Sequence, residues 1–164
     1  MNIRPLIAFA LLLGSGCRHT SPGPQPPPIT FVTDGSTVYR QDANCRRALL
    51  TLDSSAAPAG AAIVPRLWTP APGSTFSVAA TRFRHVVASP LVDWVAFETA
   101  GTHELLGVVP AAGGALKVLD FYFDSSADSL QWAPTGRYLT AFYTPPSGTA
   151  EVRVYDATVG KRIR

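Results

Sequence analysis

The chain has 164 residues, of which 46% are hydrophobic and 15% charged, and its formal net charge is +3. This length predicts one domain. The basic residues are spread along the chain instead of forming a concentrated stripe, which excludes a protein that reads a nucleic-acid backbone. Two cysteines are too few for a disulfide framework or a cysteine-based metal site.

The first sixteen residues have the three parts of a secretion signal. Arg4 supplies a positive charge, residues 6–13 are apolar, and residues 14–16 are small. The apolar segment has eight residues, too few to span a bilayer as a helix. We therefore predict that residues 1–16 are a signal peptide.

Cys17 follows these small residues directly, although Gly14 stands where Leu is usual. The arrangement resembles the lipobox of bacterial lipoproteins. That resemblance implies a lipid anchor on Cys17, and Arg18 in place of Asp implies the outer membrane, facing the periplasm. A plain secreted protein is the competing interpretation, with Cys17 removed, left free or paired with Cys45.

Residues 18–28 contain five prolines in eleven positions. Such a segment favours extended polyproline II. At about 3.1 Å per residue it would reach roughly 35 Å. We predict that residues 17–28, including the lipidated cysteine, form a tether, and an ordinary disordered N-terminus is the alternative.

From residue 29 onwards the pattern predicts short strands and no helix of period 3.6. Asp34-Gly35 is a hairpin signal between predicted strands at residues 29–33 and 37–41. Residues 124–129 are predicted to be a polar loop. The remaining predicted strands cover residues 48–52, 75–80, 85–88, 93–99, 105–109, 115–123, 138–144 and 151–155. The pattern indicates an all-β domain over residues 29–164.

Residues 54–73 interrupt this rhythm because they are rich in Ala, Pro and Gly. We predict an insertion loop here. A helix over residues 56–64 is the alternative, and it would have to accommodate Pro58 and Gly60.

The segment 130–161 contains Trp132, a Pro-x-Gly turn, an apolar strand with Phe142 near its end, and a Val-x-Val-Tyr-Asp strand. It resembles one blade repeat of the TolB-type (WD-like) β-propellers, and residues 29–51 resemble the same repeat. The resemblance implies a partial or incomplete β-propeller with about three blades, each an antiparallel meander.

A Phe-x-Thr pattern begins at Phe31, Phe97 and Phe142. The second interval is 45 residues (142 − 97), a blade period, and the first is 66 (97 − 31), longer by about the predicted insertion. We interpret the pattern as three repeats, and chance recurrence is the alternative. The repeats predict that each Phe lies between adjacent blades, with Trp94 and Trp132 beside it.

No nucleophile elbow, P-loop or zinc-protease motif is present, so we expect no enzymatic activity, no cofactor and no metal site. His85 and His103 are interpreted as strand or loop residues rather than metal ligands. Nothing in the spacing of Glu98 and Glu104 predicts an acid–base pair.

Three aspartates recur at four-residue intervals, at Asp120, Asp124 and Asp128. Their oxygens are of the type that binds Ca²⁺, but the spacing matches no EF-hand, and an ordinary acidic loop is the favoured interpretation. Aromatic residues concentrate in the same half of the chain. They are interpreted as filling for the seams between blades rather than as a binding surface: Tyr122, Phe123, Trp132, Tyr138 and Tyr143.

These features predict an envelope-anchored lipoprotein that acts as a non-enzymatic protein-binding scaffold. The expected partners are other envelope proteins, or further copies of the chain joined through open blade edges. The membrane would be bound through the lipid, and no nucleic acid is expected. The alternative is a small-ligand, glycan or peptide-binding module, or the remnant of a larger propeller enzyme.

Overall fold

The computed structural model describes residues 28–164 except 44, 53–54, 56, 70–71, 74–76 and 124–125. The predicted signal peptide, Cys17 and nearly all of the predicted tether lie outside these residues. The described residues form strands and turns and contain no helix. This part of the chain therefore has no helix that is long and apolar enough to cross a membrane. The all-β prediction is confirmed for this part of the chain.

The strands belong to three sheets. In the part of the chain that the structure describes, they are β1 (Thr30–Thr33), β2 (Thr37–Gln41), β3 (Arg46–Thr51), β4 (Ala62–Ile63), β5 (Leu67–Trp68), β6 (Val78–Ala88), β7 (Trp94–Gly101), β8 (His103–Pro110), β9 (Lys117–Phe123), β10 (Ala127–Trp132), β11 (Tyr138–Tyr143), β12 (Glu151–Asp156) and β13 (Lys161–Arg162). Sheet one runs β1-β2-β3-β4, sheet two β5-β6-β7-β8-β9, and sheet three β10-β11-β12-β13.

Neighbouring strands pair in chain order and antiparallel, apart from the parallel pair β3–β4. This confirms the predicted antiparallel meanders. The β1–β2 hairpin closes at Asp34-Gly35 as predicted. Asp34 Oδ1 accepts hydrogen bonds from the backbone N–H groups of Ser36 and Thr37, and Gly35 has φ +98°. The turn therefore uses the Asx hydrogen bonding and the left-handed glycine for which this dipeptide is favoured.

Sheet two is the middle layer of the fold. Along β7, Val95 and Phe97 pack into a core shared with sheet one, whereas Ala96 packs into a core shared with sheet three. Along β8, Leu105 and Leu106 divide between the two cores in the same way. Burial on both faces explains why β7 and β8 are almost continuously apolar instead of alternating with polar residues.

Several strand predictions are wrong in detail. Residues 78–80 and 85–88 of two predicted strands (75–80 and 85–88) belong to one strand, β6, which is interrupted by register shifts before Arg82 and before Val86, and residues 75–76 lie outside the described residues. The predicted polar loop at 124–129 gives way to β10 from Ala127 onwards. Within the predicted insertion at 54–73, β4 and β5 form, and the described residues 57–64 are not helical.

Strands β7 and β11 begin after equivalent turns. The Ser89 N–H donates to the Trp94 carbonyl at 2.8 Å, and the Ala133 N–H donates to the Tyr138 carbonyl at 2.8 Å. Each turn also contains a residue with positive φ, Val92 at 57° and Gly136 at 69° (136 − 92 = 44). Sheets two and three are thus related by a repeat of 44 residues at this point.

This repeat differs by one residue from the interval between the Phe-x-Thr patterns, and the predicted equivalence of Phe97 and Phe142 is wrong. Phe97 is fully buried against sheet one, whereas Phe142 is 37% exposed on the far side of sheet three. A slip of one residue transfers a strand side chain to the opposite face. Trp94 and Trp132 do lie between sheets two and three, as expected.

Candidate functional site

The outer face of sheet three is formed by Thr140, Phe142, Val152 and Val154, with Ser129 and Gln131 of β10 beside them. Its direction follows from strand alternation: Ala141, Tyr143 and Tyr155 are buried against sheet two, so their neighbours point the other way. Phe142 lies opposite Val152, and Thr140 lies opposite Val154. Phe142 and Val152 are 37% and 53% exposed.

The equivalent surface of sheet two is covered. There Glu98 pairs with Leu106, and Ala96 pairs with Val108. Glu98 of sheet two is equivalent to Phe142 of sheet three, 44 residues later (142 − 98). Its strand partner Leu106 is equivalent to Val152, 46 residues later (152 − 106). All four sheet-two residues are buried, three of them in the core shared with sheet three. The same repeat position is therefore interior in one meander and solvent-facing in the next.

Sheet one has an outer face of different chemistry, formed by Val32, Tyr39 and Arg46. Phe31 packs on the core shared with sheet two, and Arg40 donates a hydrogen bond to the Ala111 carbonyl of the same sheet. Because strand side chains alternate, Val32 and Tyr39 face away from sheet two. The Arg46 guanidinium lies over the Tyr39 ring at 3.9 Å from its centroid. Val32 is 36% exposed.

A cluster of polar side chains, made of Arg84, His85, Glu98 and Glu104, lies on sheet two. The register shift of β6 falls at Arg84 and His85, opposite β7. Glu98 is fully buried, and its Oε2 is 2.8 Å from His85 Nδ1. Its Oε1 accepts a hydrogen bond of 2.8 Å from the Ala127 N–H at the start of β10. The Glu98 carboxyl thus joins sheet two to the first strand of sheet three.

Burial dominates the electrostatics of this polar cluster. It raises the pKa of Glu98, and it raises the pKa of Glu104, to which the nearby Glu98 charge adds. Burial also lowers the pKa of His85, and the adjacent Arg84 charge acts in the same direction. Arg84 pairs with Glu104 at 3.3 Å. His85 is 31% exposed at its side chain, so the polar cluster reaches solvent on one side.

The structure brings Glu98, Glu104 and His85 together, which no sequence spacing predicted. The available signal was a charged residue inside an otherwise apolar run, since Glu98 follows Trp-Val-Ala-Phe in a strand buried on both faces. Such a residue needs an internal partner, because an unpaired buried carboxyl is costly. Across the described residues, no group of three or more His, Cys, Asp or Glu side chains has an arrangement that could hold a metal ion.

The predicted aspartate series separates in the fold. Asp120 Oδ2 accepts a hydrogen bond of 2.6 Å from the Tyr155 hydroxyl and pairs with Arg153 at 3.4 Å. Asp128 accepts a hydrogen bond of 2.7 Å from Thr144. Asp124 lies outside the described residues. Asp120 and Asp128 therefore bond to different side chains within the protein.

Aromatic packing accompanies Asp120 between sheets two and three. The rings of Tyr122 and Tyr143 stack with centroids 5.0 Å apart. The Arg153 guanidinium lies 4.5 Å from the Tyr143 centroid and 5.1 Å from that of Tyr122. The interpretation of these two rings, and of Trp132, as internal packing agrees with their burial. Tyr138 is half-buried, and the Phe123 side chain lies outside the described part of the structure.

No known protein family and no curated protein matches this chain. The candidate surface is therefore defined by its own geometry. Cys45 is exposed and forms no disulfide with a described residue, and its predicted alternative partner, Cys17, lies outside the described range.

Proposed function

We propose that the protein is a non-enzymatic, envelope-anchored scaffold that binds another protein through the outer face of sheet three. The observation that carries this proposal is the contrast between two equivalent surfaces. Leu106 of sheet two is buried by the next meander, whereas Val152 at the same repeat position is 53% exposed. Phe142 and Val152 lie opposite each other across β11 and β12 and are both exposed, and adjoining apolar side chains on a sheet face are a candidate interaction site.

The proposal takes the three meanders as consecutive blades of an incomplete TolB-type propeller. Three observations support that reading: strands pair in chain order, the sheets stack face to face, and the turns before β7 and β11 are equivalent. A meander cannot cover both of its faces alone, so a stack ends in surfaces that need a partner. Binding through such a surface requires no catalytic group.

A binding experiment tests the scaffold. Val152→Asp places a charge on the outer face of sheet three, and Leu91→Asp is the matched control because Leu91 is 61% exposed on the turn before β7. Pull-down from solubilised envelope followed by mass spectrometry should recover a partner with the wild type and the control but not with Val152→Asp. Equal recovery by all three proteins would refute the proposed surface.

The anchoring half of the proposal rests on the sequence of the N-terminus, with Cys17 as the lipidated residue, the Pro-rich segment as a tether, and the periplasmic face of the outer membrane as the location. Cys17→Ser should move the protein from the membrane fraction to the soluble periplasmic fraction. Retention of this variant on membranes would contradict the lipid anchor without affecting the binding surface.

A small-ligand, glycan or peptide-binding function is the second candidate, and the polar cluster favours it because His85 and Arg84 reach solvent above the Glu98 and Glu104 carboxyls. A ligand held there would raise the melting temperature of the wild type but not that of His85→Ala. A ligand screen in which both proteins respond alike would count against this candidate.

A further inference from the structure

We infer that one end of the sheet stack lies against the headgroups of an anionic phospholipid bilayer. This end, called the tether end, is formed by the turns β2–β3, β6–β7, β8–β9, β10–β11 and β12–β13. The inference goes beyond the protein-binding face of sheet three. It rests on the proposed anchor in one step only, the lipid on Cys17 that would hold this end near a membrane.

Contacts between neighbouring sheets bring these turns to the same end. Arg47 near the start of β3 donates a hydrogen bond to the Ala112 carbonyl in the β8–β9 turn. Lys117 at the start of β9 donates to the Ala157 carbonyl in the β12–β13 turn at 3.3 Å. Strand pairing then places the β6–β7 turn beside the β8–β9 turn, and the β10–β11 turn beside the β12–β13 turn.

The predicted tether leads to this end as well. Thr30 at the start of β1 lies opposite Gln41, which is next to the β2–β3 turn. Residues 17–28 would reach roughly 35 Å when extended. A lipid on Cys17 would therefore keep the tether end close to the bilayer, where a high effective concentration makes weak contacts sufficient.

The tether end carries an excess of positive charge. Six cations in its turns, or within two residues of them, form no ion pair with a described carboxylate: Arg40, Arg46, Arg47, Lys117, Lys161 and Arg162. Of the acids in the same positions, Asp156 pairs with Arg137 at 2.6 Å, which leaves Asp42 and Asp93. The balance is +4 (6 − 2), and basic side chains near an anionic membrane surface are attracted to it.

The contacts of these cations leave their charge uncompensated. The Arg46 guanidinium lies over the Tyr39 ring, and Arg47 and Lys117 donate to backbone carbonyls. Arg46, Arg47 and Lys161 are exposed. The planar guanidinium presents several donors in the geometry that a phosphate accepts. The tether end thus offers positive groups to an external anion.

Two exposed aliphatic side chains lie among these charges. Leu91 in the β6–β7 turn is 61% exposed, and Val159 in the β12–β13 turn is 57% exposed. Binding at a membrane surface combines attraction to anionic headgroups with apolar side chains that enter the headgroup and acyl boundary. The combination favours a bilayer over a soluble polyanion, which offers nothing to the two aliphatic groups.

Vesicle binding by the full-length chain carrying Cys17→Ser tests the inference without the lipid. This variant should bind vesicles of phosphatidylglycerol and phosphatidylcholine but not vesicles of phosphatidylcholine alone, and high salt should abolish binding. The contact is weak and reversible, so the variant is washed from membranes during fractionation yet binds vesicles supplied in excess. No binding to the anionic vesicles would overturn the inference.

Two double variants with the same loss of charge locate the contact. Arg46→Gln with Arg47→Gln should weaken binding on the order of tenfold at about 0.1 M salt, where charges act over about 10 Å. Arg66→Gln with Arg82→Gln should have much less effect, because both residues are exposed beside the β7–β8 hairpin at the opposite end. Equal weakening would assign binding to net charge and contradict a contact at the tether end.

A fluorescent label on Cys45 reports the orientation of the bound protein. Cys45 is exposed beside the β2–β3 turn, and it is the remaining cysteine once Cys17 is replaced. Lipids with a nitroxide headgroup should quench this label. The control carries Cys45→Ser and Ser147→Cys, which moves the label to the exposed β11–β12 turn at the opposite end, and it should stay bright. Equal quenching of the two labels would refute the orientation.

The results separate this inference from the scaffold proposal. Val152→Asp should lose the envelope partner and keep vesicle binding, whereas Leu91→Asp should weaken vesicle binding and keep the partner in solubilised envelope. Partner recovery without vesicle binding refutes the lipid contact alone, and vesicle binding without a partner refutes the scaffold alone. Loss of a protein partner instead of vesicles by the Arg46→Gln, Arg47→Gln chain would assign the tether end to an acidic protein and overturn the inference.

Discussion

Glu98 and Phe142 occupy the same position in consecutive meanders, 44 residues apart (142 − 98), yet their surroundings are opposite. Glu98 is fully buried and accepts the Ala127 N–H at 2.8 Å, whereas Phe142 is 37% exposed. A carboxyl thus lies inside the protein where the next meander supplies a donor. An aromatic ring lies in solvent where the described chain supplies no further meander.

The Glu98–Ala127 contact should contribute measurably to stability. Glu98→Ala leaves the buried Ala127 N–H without its acceptor, and such a group costs about 1–3 kcal/mol. Glu98→Gln retains an oxygen acceptor and should cost less than Glu98→Ala. Urea unfolding followed by tryptophan fluorescence measures both changes. Equal destabilisation by the two variants would show that the contact with Ala127 is not the important one.

The raised pKa of Glu98 predicts a pH dependence. Because burial holds the folded pKa above the ordinary value of 4.5, the folded state keeps a proton that the unfolded state has lost. The free energy of unfolding should therefore decrease as the pH rises from 4.5 through the folded pKa. Comparison of the wild type with Glu98→Gln at each pH isolates this contribution, since the variant lacks that carboxyl.

The titration of His85 should change the free energy of unfolding in the opposite direction to that of Glu98. Its lowered pKa means that the unfolded state takes up a proton before the folded state does, so its contribution to stability is lost as the pH falls below 6.5. The stability of the wild type relative to His85→Gln should therefore be greatest near neutral pH and decrease as the pH falls below 6.5. A constant difference from pH 4 to pH 8 would contradict the shift.

Gly107 lies opposite Phe97 across the β7–β8 pair, and the Phe97 ring occupies the space that a side chain at position 107 would need. A Cβ at position 107 would lie 2.5 Å from Phe97 Cζ, and Phe97 is fully buried with its ring edge-on to Phe83. Gly107→Ala should therefore reduce the free energy of unfolding by about 1–3 kcal/mol through overpacking. In the Phe97→Leu background the same substitution should cost less, because contacting residues are not additive.

Arg153 should resist replacement by Lys. Its guanidinium contacts the rings of Tyr122 and Tyr143 and pairs with Asp120 and Glu151. Lys keeps the charge but lacks the planar, many-donor group, so Arg153→Lys should cost about 1 kcal/mol. Arg162→Lys on the exposed strand β13 is the control and should leave the melting temperature unchanged. Equal effects at the two positions would contradict the role assigned to the ring contacts.

Gly136 should tolerate Asn better than Ala. At φ +69° an L-residue is in the left-handed region, which costs roughly 1–2 kcal/mol, and Asn adopts it more readily than Ala. Gly136→Ala should therefore lower the melting temperature more than Gly136→Asn. The reverse order would indicate that crowding by Ser89, rather than backbone strain, limits this position.

Much of the fold follows from local signals in the sequence. The Asp34-Gly35 turn, the alternation of Val152 and Val154 with Arg153 and Tyr155, and the lack of helical periodicity all depend on residues close together in the chain. Such signals identify strands and hairpins because turn geometry and strand alternation are local properties. The all-β class and the antiparallel meanders were predictable for this reason.

The candidate surface was not predictable in the same way. The Phe-x-Thr pattern aligned Phe97 with Phe142, but the hydrogen-bonded turns before β7 and β11 set a repeat one residue shorter. The partner of Glu98 is a backbone N–H 29 residues away, in a segment whose polar sequence predicts a loop. Neither the length of the repeat nor the Glu98–Ala127 contact can be predicted from the composition of neighbouring residues.

The sequence by itself determined that this chain forms antiparallel β-meanders, because strand alternation and turn chemistry depend on a few neighbouring residues. Only the tertiary structure decided which face of each meander is covered, which carboxyl is buried and which aromatic ring stays in solvent. The reason is physical: the face of a strand depends on its register, and burial depends on the sheet that packs against it.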